Sequence, residues 1–475
     1  MKNISEYLEE DMVKWADCPY INTKEHGVWR ARTFRETAED IRSLSKSLAA
    51  RGLEHKNIML CSENSYEWIL LYFGIMGYVG TCVPVDREWT AYDLQNTLCA
   101  IPVSAVFYSR SRRERFQSVM EQNPDILWFC IEEVLDDLIR EGKASPAPLT
   151  GRTRPEETAM ILFTSGTTNI PKAIPLTQEN LFANWETLYL RTPMTRQDIS
   201  YVFLPFHHVY TGVANILYTL VSGMQLFLCS DLQHMLPELM EVRPTVVCTV
   251  PLFLYRMYEA MNDALLEVLR NIRFLYCGGS FTDPGVKEYF IEQGVCLLEA
   301  YGTTETSSVI ALARPGDPEL TANGVVFENL RVQILHPDEN GVGEIVVSGK
   351  SVSRGYLNRN DHYSEFDEDG YHTGDLGILS PDGHLYLKGR KKRMILTANG
   401  KNVYVDELEA LLLQHPQIKT AAVFEENHHP AAAVTADLSE EEMQEYLLQV
   451  NSRLPRYKQI RKFYLKPDTP GGRIK

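Results

Sequence analysis

The sequence predicts an α/β fold: a large N-terminal domain of helix-covered sheets with a small β subdomain, then a small mobile α+β C-terminal domain. Three observations carry that expectation. Helical and strand patterns alternate from about residue 33 to 300, the rhythm of sheets covered by helices on both faces. From Asn329 the texture changes to short alternating strands broken by turn residues, as in RVQILHPDENGVGEIVVSG, the pattern of a small β unit. Helical texture returns at Val405–Gln414 and Glu440–Leu454 around a strand at Thr420–Phe424. The boundary is expected near Gly389–Lys392, after a turn at Pro381–Gly383, so that residues 1–390 form the core domain and 391–475 the mobile one.

The elements follow in order. A helix is expected over Thr33–Arg51 and a strand over Asn57–Cys61. Trp68–Val85 is 18 residues without a charge, which touches the length of a membrane span. Gly74, Gly77, Gly80 and Pro84 divide it into a buried helix, Tyr66–Met76, and a buried strand, Thr81–Val85, so no span is expected. Ile161–Lys172, ILFTSGTTNIPK, is an apolar run that stops at small hydroxyl and glycine residues and then a lysine. Thr164, Ser165, Gly166, Thr167 and Thr168 are small enough to bring backbone N–H groups and hydroxyls to an anion, and Lys172 adds a positive charge. The order is not that of the Walker loop, so a P-loop NTPase is not the reading. The plainer alternative is a strand-to-helix turn, with Thr177 capping a helix over Gln178–Tyr189.

Composition narrows the class. The 475 residues are 44% hydrophobic and 23% charged, enough chain for two or three domains. A net charge of −16 argues against nucleic-acid binding. From Lys391 onward 13 Lys and Arg stand against 11 Asp and Glu, so the excess acid lies before it. Arg453, Arg456, Lys458, Arg461, Lys462 and Lys466 form a basic cluster that suits either anionic partners or a solvated helix face. Nine scattered cysteines lack any CxxC pair or Cys/His ligand spacing, so neither zinc nor disulfides are indicated and a reducing cytoplasm fits. The N-terminus, MKNISEYLEEDMVKW, is acidic and lacks the apolar stretch of a secretory signal.

The hydroxyl-rich loop resembles the phosphate loop of the adenylate-forming superfamily: acyl-CoA synthetases, carrier-protein adenylation domains and luciferases. The usual form is Thr-Ser-Gly-Thr-Thr-Gly-x-Pro-Lys, with Asn169 here in place of glycine. Seven further segments match in order. LPFHHVY at Leu204–Tyr210 resembles the acyl-pocket segment, which makes His208 the aromatic gate. PTVVCTVPLFLY and RFLYCGGS resemble the pocket wall and the adenine turn at Gly278 and Gly279. EAYGTTE at Glu299–Glu305 implies that Tyr301 stacks on adenine, Thr304 donates to the α-phosphate and Glu305 holds magnesium. YHTGD implies that Asp375 chelates the ribose. In GRKKRMILTANGKNVYVDELE, Arg390 would touch the ribose, Lys392 would be the hinge and Gly400 would line the thiol tunnel; Asn402 and Val405 replace the more usual arginine and proline. PDTPGGRI places Arg473 where the family has lysine, a change that keeps the charge but not the shape.

The resemblance implies a two-step reaction. A carboxylate attacks the α-phosphorus of ATP, with Lys172, Thr304, Arg473 and magnesium stabilising charge on the phosphoryl oxygens. The C-terminal domain then turns about Lys392 and a thiol attacks the acyl-adenylate. The thiol is CoA or the phosphopantetheine of an acyl carrier protein. Amino-acid activators place an aspartate after the gate; here Val209 stands there, which favours a fatty or other non-amino acid. An acid to acyl-carrier-protein ligase and a catalytically impaired nucleotide-binding homologue are the alternatives.

Overall fold

Strand-forming runs and the helices between them assemble into two compact units in the computed structural model. It describes residues 2–149, 153–164, 171–358, 365–396, 402–426, 429–452, 454, 456 and 458–467. The first unit is Met1–Arg331 with Val347–Tyr371, the second Val332–Val346 with His372–Lys475.

Two sheets build the first unit. A six-stranded sheet runs in the order Leu127–Cys130, Ala105–Tyr108, Asn57–Cys61, Thr81–Pro84, Thr158–Thr164 and Lys172–Thr177. Its first five strands are parallel and the sixth returns antiparallel to the fifth. Ile58–Cys61 of the strand Asn57–Cys61 and all of Ala105–Tyr108 (AVFY) are apolar and buried, as strands covered on both faces must be. A nine-stranded sheet runs Val325–Val326, Ala311–Leu312, Leu297–Tyr301, Phe274–Gly278, Val246–Thr249, Ile199–Val202, Gln225–Leu228, Pro19–Glu25 and Val28–Thr33. The strands from Leu297–Tyr301 to Pro19–Glu25 in that order are all parallel.

The uncharged run after Tyr66 is core, as its glycines predict. Tyr66–Gly74 is helical with every residue but Glu67 buried, Ile75–Val79 widens into a π turn, and Thr81–Pro84 is a strand. Trp68, Leu70, Leu71 and Phe73 have next to no exposure, each contributing about 1.5–3 kcal/mol of burial. No helix among the described residues is long and apolar enough to cross a membrane. All nine cysteines are free. The helix Phe34–Ala50 begins where Thr33 and Glu36 close a capping box.

A four-stranded sheet is ordered Leu330–Leu335, Gly343–Gly349, Tyr371–Leu379 and Leu385–Arg390. A three-stranded sheet, Ile418–Glu426, His429–Ala436 and Lys462–Pro467, packs with helices Val405–Leu413 and Glu440–Ser452. Leu408, Leu412, Val423, Val434, Met443 and Leu447 form their shared core. The helix ends at Ser452, and Arg461, Lys462 and Lys466 of the basic cluster are not on a helix face: Arg461 precedes the last strand, and Lys462, paired with Glu426 at 2.9 Å, and Lys466 stand on it, while Arg453 lies outside the described residues.

Candidate active site

The sequence motifs of the first unit converge because parallel strands deliver them to one sheet edge. Leu297–Tyr301, Phe274–Gly278 and Ile199–Val202 run in the same direction, and the segments carrying Glu305, Gly279 and His208 follow their C-terminal ends. In open α/β sheets ligands bind at that edge. Backbone crowding explains the glycines there. A Cβ on Gly302 would sit 1.5 Å from the Ser308 carbonyl oxygen, and Gly279 has φ +88°. Beyond Gly302 the chain makes a tight turn over Thr304–Thr306, with Ser307 (φ 60°) and Ser308 (φ 115°) in backbone conformations that non-glycine residues rarely adopt. Glu305 is buried on this turn, Thr304 is half-buried, and Tyr301 is buried at the end of its strand.

Thr164 ends the strand Thr158–Thr164 and pairs in register with Lys172 on the returning strand. The plainer expectation, a direct turn into a helix, is therefore corrected: the strand Lys172–Thr177 intervenes before Thr177 caps Gln178–Arg191. Ser165, Gly166, Thr167 and Thr168 lie outside the described residues.

Lys172 is largely covered by protein. Its ammonium pairs with Glu365 and lies 4.9 Å from the ring centroid of Tyr356. The Tyr356 hydroxyl donates to Glu305 Oε1 at 3.0 Å. Burial, reinforced by the Glu305 charge, pushes the Tyr356 phenol well above its ordinary pKa, so it stays a donor. The strand holding Lys172 and the turn holding Glu305 are laced to the same stretch of chain. Leu357 N–H donates to the Ala173 carbonyl at 3.0 Å and Ser353 N–H to the Glu305 carbonyl at 2.7 Å. Asn358 adds bonds to both sides of Lys172, accepting from Ala173 N–H at 3.0 Å and donating to the Pro171 carbonyl at 2.8 Å.

His208 shows part of its ring to solvent, and the protein around the rest of it lowers its pKa. Its neighbour His207 is more deeply placed, the two ring centroids 4.1 Å apart. Burial first, then the adjacent His208, pushes His207 down to about 4 against the pull of Asp86. His207 is thus neutral at neutral pH, and its 3.9 Å approach to Asp86 is not an ion pair.

In the second unit, Asp375 and Arg390 are direct partners on antiparallel strands, with Arg390 Nε 2.7 Å from Asp375 Oδ1. Asp375 is buried and its N–H donates to Thr373 Oγ1 at 3.0 Å. Lys392 occupies a single turn, Lys391–Arg393, flanked by Lys391 paired with Glu344 at 2.6 Å and Arg393 bridging Asp406 and Glu409. Gly400 and Arg473 lie outside the described residues.

Residues 8–357 match the AMP-binding enzyme family. The chain belongs to that family. It is 27% identical over 459 residues to the long-chain-fatty-acid–CoA ligase FadD15 of Mycobacterium bovis, spanning 84% of this chain and 76% of that protein. It is 25% identical over 457 residues to the 2-succinylbenzoate–CoA ligase of Lactococcus lactis, spanning 92% of each. Among solved structures, ATP-bound MatB from Rhodopseudomonas palustris superposes with a TM-score of 0.85 at 24% identity, covering 99% of this chain and 96% of that one. The o-succinylbenzoate CoA synthetase of Bacillus subtilis with its acyl-adenylate intermediate gives 0.82 at 22% identity, covering 98% and 95%. These two likenesses establish the fold.

Two residues that contact the candidate site lie in none of the sequence motifs: Tyr356 and Glu365. Glu365 lies 193 positions from Lys172, and Tyr356 lies 51 from Glu305. Their only local signal is an aromatic and an acid near the end of a β-rich segment.

Proposed function

We propose that this AMP-binding enzyme activates a non-amino carboxylic acid with ATP, releasing pyrophosphate, and passes the acyl group from the adenylate to the thiol of CoA. The observation that carries the proposal is the meeting of Lys172 and Glu305 at one tyrosine, a cation for phosphate oxygens and a carboxylate for a metal within one rigid cluster. The curated relatives are named as CoA ligases, which favours CoA over a carrier protein.

Magnesium fits the residues present. Glu305 has one oxygen committed to Tyr356 and no hydrogen bond to the other among the described residues. The described residues hold no cluster of three or more His, Cys, Asp and Glu side chains. One carboxylate with substrate phosphates completing the shell is how Mg²⁺ is ordinarily held, not a closed protein cage. When bound, the ion neutralises phosphate charge. In this reading Lys172 exchanges Glu365 for a phosphate oxygen, Thr304 donates to the α-phosphate, and Tyr301 with Gly278 and Gly279 receives the adenine. Asp375 and Arg390 bind the ribose, Arg473 meets the phosphates during adenylation, and the chain from Lys391 turns about Lys392 before thiol attack. The core domain is then residues 1–390 and the mobile one 391–475, and the enzyme works in the cytoplasm.

The test is acid-dependent pyrophosphate release across a panel of short, long and aromatic acids, with CoA present and absent. Acyl-CoA formation with at least one acid is the expected result. Thioester on a carrier protein but none on CoA would move the assignment to the carrier-protein ligase, and no release with any acid would overturn it.

A further inference from the structure

Tyr356 touches both charged groups on which the proposed first half-reaction rests, and nothing in the motif sequences assigns it a task. Its hydroxyl donates to Glu305 Oε1 at 3.0 Å, and its ring lies 4.9 Å from the Lys172 ammonium. The ring is itself held. Phe366 packs edge-on at 5.3 Å and 80°. The backbone on either side is tied down by Ser353 N–H to the Glu305 carbonyl at 2.7 Å and Leu357 N–H to the Ala173 carbonyl at 3.0 Å. One rigid aromatic therefore fixes the distance between a carboxylate on the turn that follows a strand of one sheet and a lysine on a strand of the other.

We infer that Tyr356 is a positioning residue for the metal–nucleotide complex, its hydroxyl orienting Glu305 toward Mg²⁺ and its ring orienting Lys172 toward the phosphates. The inference rests on the proposed roles of those two residues. A carboxylate with one oxygen clamped presents the other in a single direction, and a lysine over an aromatic face keeps its charge while losing most of its sweep. The two contacts are separable by substitution. Tyr356→Phe deletes only the hydroxyl, and Tyr356→Leu deletes the aromatic face as well.

Calorimetric titration of the full chain with ATP, once with Mg²⁺ and once with EDTA, no acid present, reads the two contacts independently of turnover. The unsubstituted chain is expected to bind ATP more tightly with Mg²⁺. In Tyr356→Phe the Mg²⁺-dependent gain shrinks about 10-fold, the usual cost of removing a partner that orients a metal ligand, while affinity in EDTA is unchanged. In Tyr356→Leu affinity falls in EDTA too. A tyrosine that only supports the fold would lower the melting temperature and leave the Mg²⁺ gain intact. A full Mg²⁺ gain in Tyr356→Phe overturns the inference alone. An unsubstituted chain that binds no ATP, or gains nothing from Mg²⁺, overturns the proposed function and this inference with it.

Discussion

Replacing Lys287 by methionine should destabilise the first unit more than any surface change, because it strands a carboxylate two residues before Tyr301. Lys287 and Glu299 are 5% and 7% exposed. The Lys287 ammonium donates to Glu299 Oε2 at 2.6 Å and to the Ala322 carbonyl at 2.9 Å, and Asn323 donates to Glu299 Oε1 at 2.9 Å. With methionine, Asn323 becomes the sole side-chain donor to this buried anion among the described residues, and the Ala322 carbonyl loses the Lys287 bond. Breaking such a pair from one side costs about 3–5 kcal/mol. Removing both charges, as in Lys287→Met with Glu299→Leu, costs far less, within about 1–2 kcal/mol of the parent. At a urea slope of about 3 kcal/mol/M, the single variant's midpoint falls by ~1 M or more and the double variant recovers most of it. Urea unfolding followed by circular dichroism reads this. The ordering of the three midpoints is decisive: a double variant no more stable than Lys287→Met would refute the stranded-charge argument and leave lost packing as the cause. Leu297–Tyr301 carries both Glu299 and Tyr301, so nucleotide affinity should fall with the single variant and return with the double.

Two further outcomes follow from charges near the proposed site. His207 has its folded pKa depressed to about 4, from 6.5, chiefly by burial. Between those values the unfolded chain binds the proton and the folded chain does not, so stability falls as pH drops from 6.5 toward 4, by about 3 kcal/mol in all. In His207→Gln this slope should flatten in melting temperatures taken across that range; an unchanged slope would assign it to other groups. Glu365 holds the Lys172 ammonium, the two side chains 28% and 15% exposed. Glu365→Gln should tighten ATP binding roughly 5-fold by removing a competitor worth about 1 kcal/mol, and calorimetry showing weaker binding instead would make Glu365 part of the site, not its rival.

What the sequence could disclose depended on the range of the forces involved. Asn57–Cys61 is a strand to the residue, because its apolar run Ile58–Cys61, between Asn57 and Ser62, is too short for a buried helix. The helix Gln178–Arg191 begins at Thr177 because its cap is local: Thr177 and Asn180 bond each other across one turn. Lys172–Thr177 went unread as a strand because Pro175 and the flanking hydroxyls carry turn signals. It is an edge strand of its sheet, where proline is tolerated. The hairpin Pro19–Glu25 to Val28–Thr33 hides in a charged stretch for a similar reason. It too closes a sheet edge, half-exposed, with His26 and Gly27 at positive φ making its turn. The motifs named residue types that bind phosphates and metals, but a motif is silent on its partners in the fold. Lys172 looked like a free cation in sequence. In the structure it is shared between an anion and an aromatic ring, both supplied from far along the chain. That sharing has a physical consequence for the proposed reaction. A lysine already charge-paired and ring-stacked has most of its ordering entropy removed before any nucleotide arrives. The Tyr356 ring holds the ammonium whichever anion it faces, so exchanging Glu365 for a phosphate costs the lost ion pair and not the immobilising of a free chain.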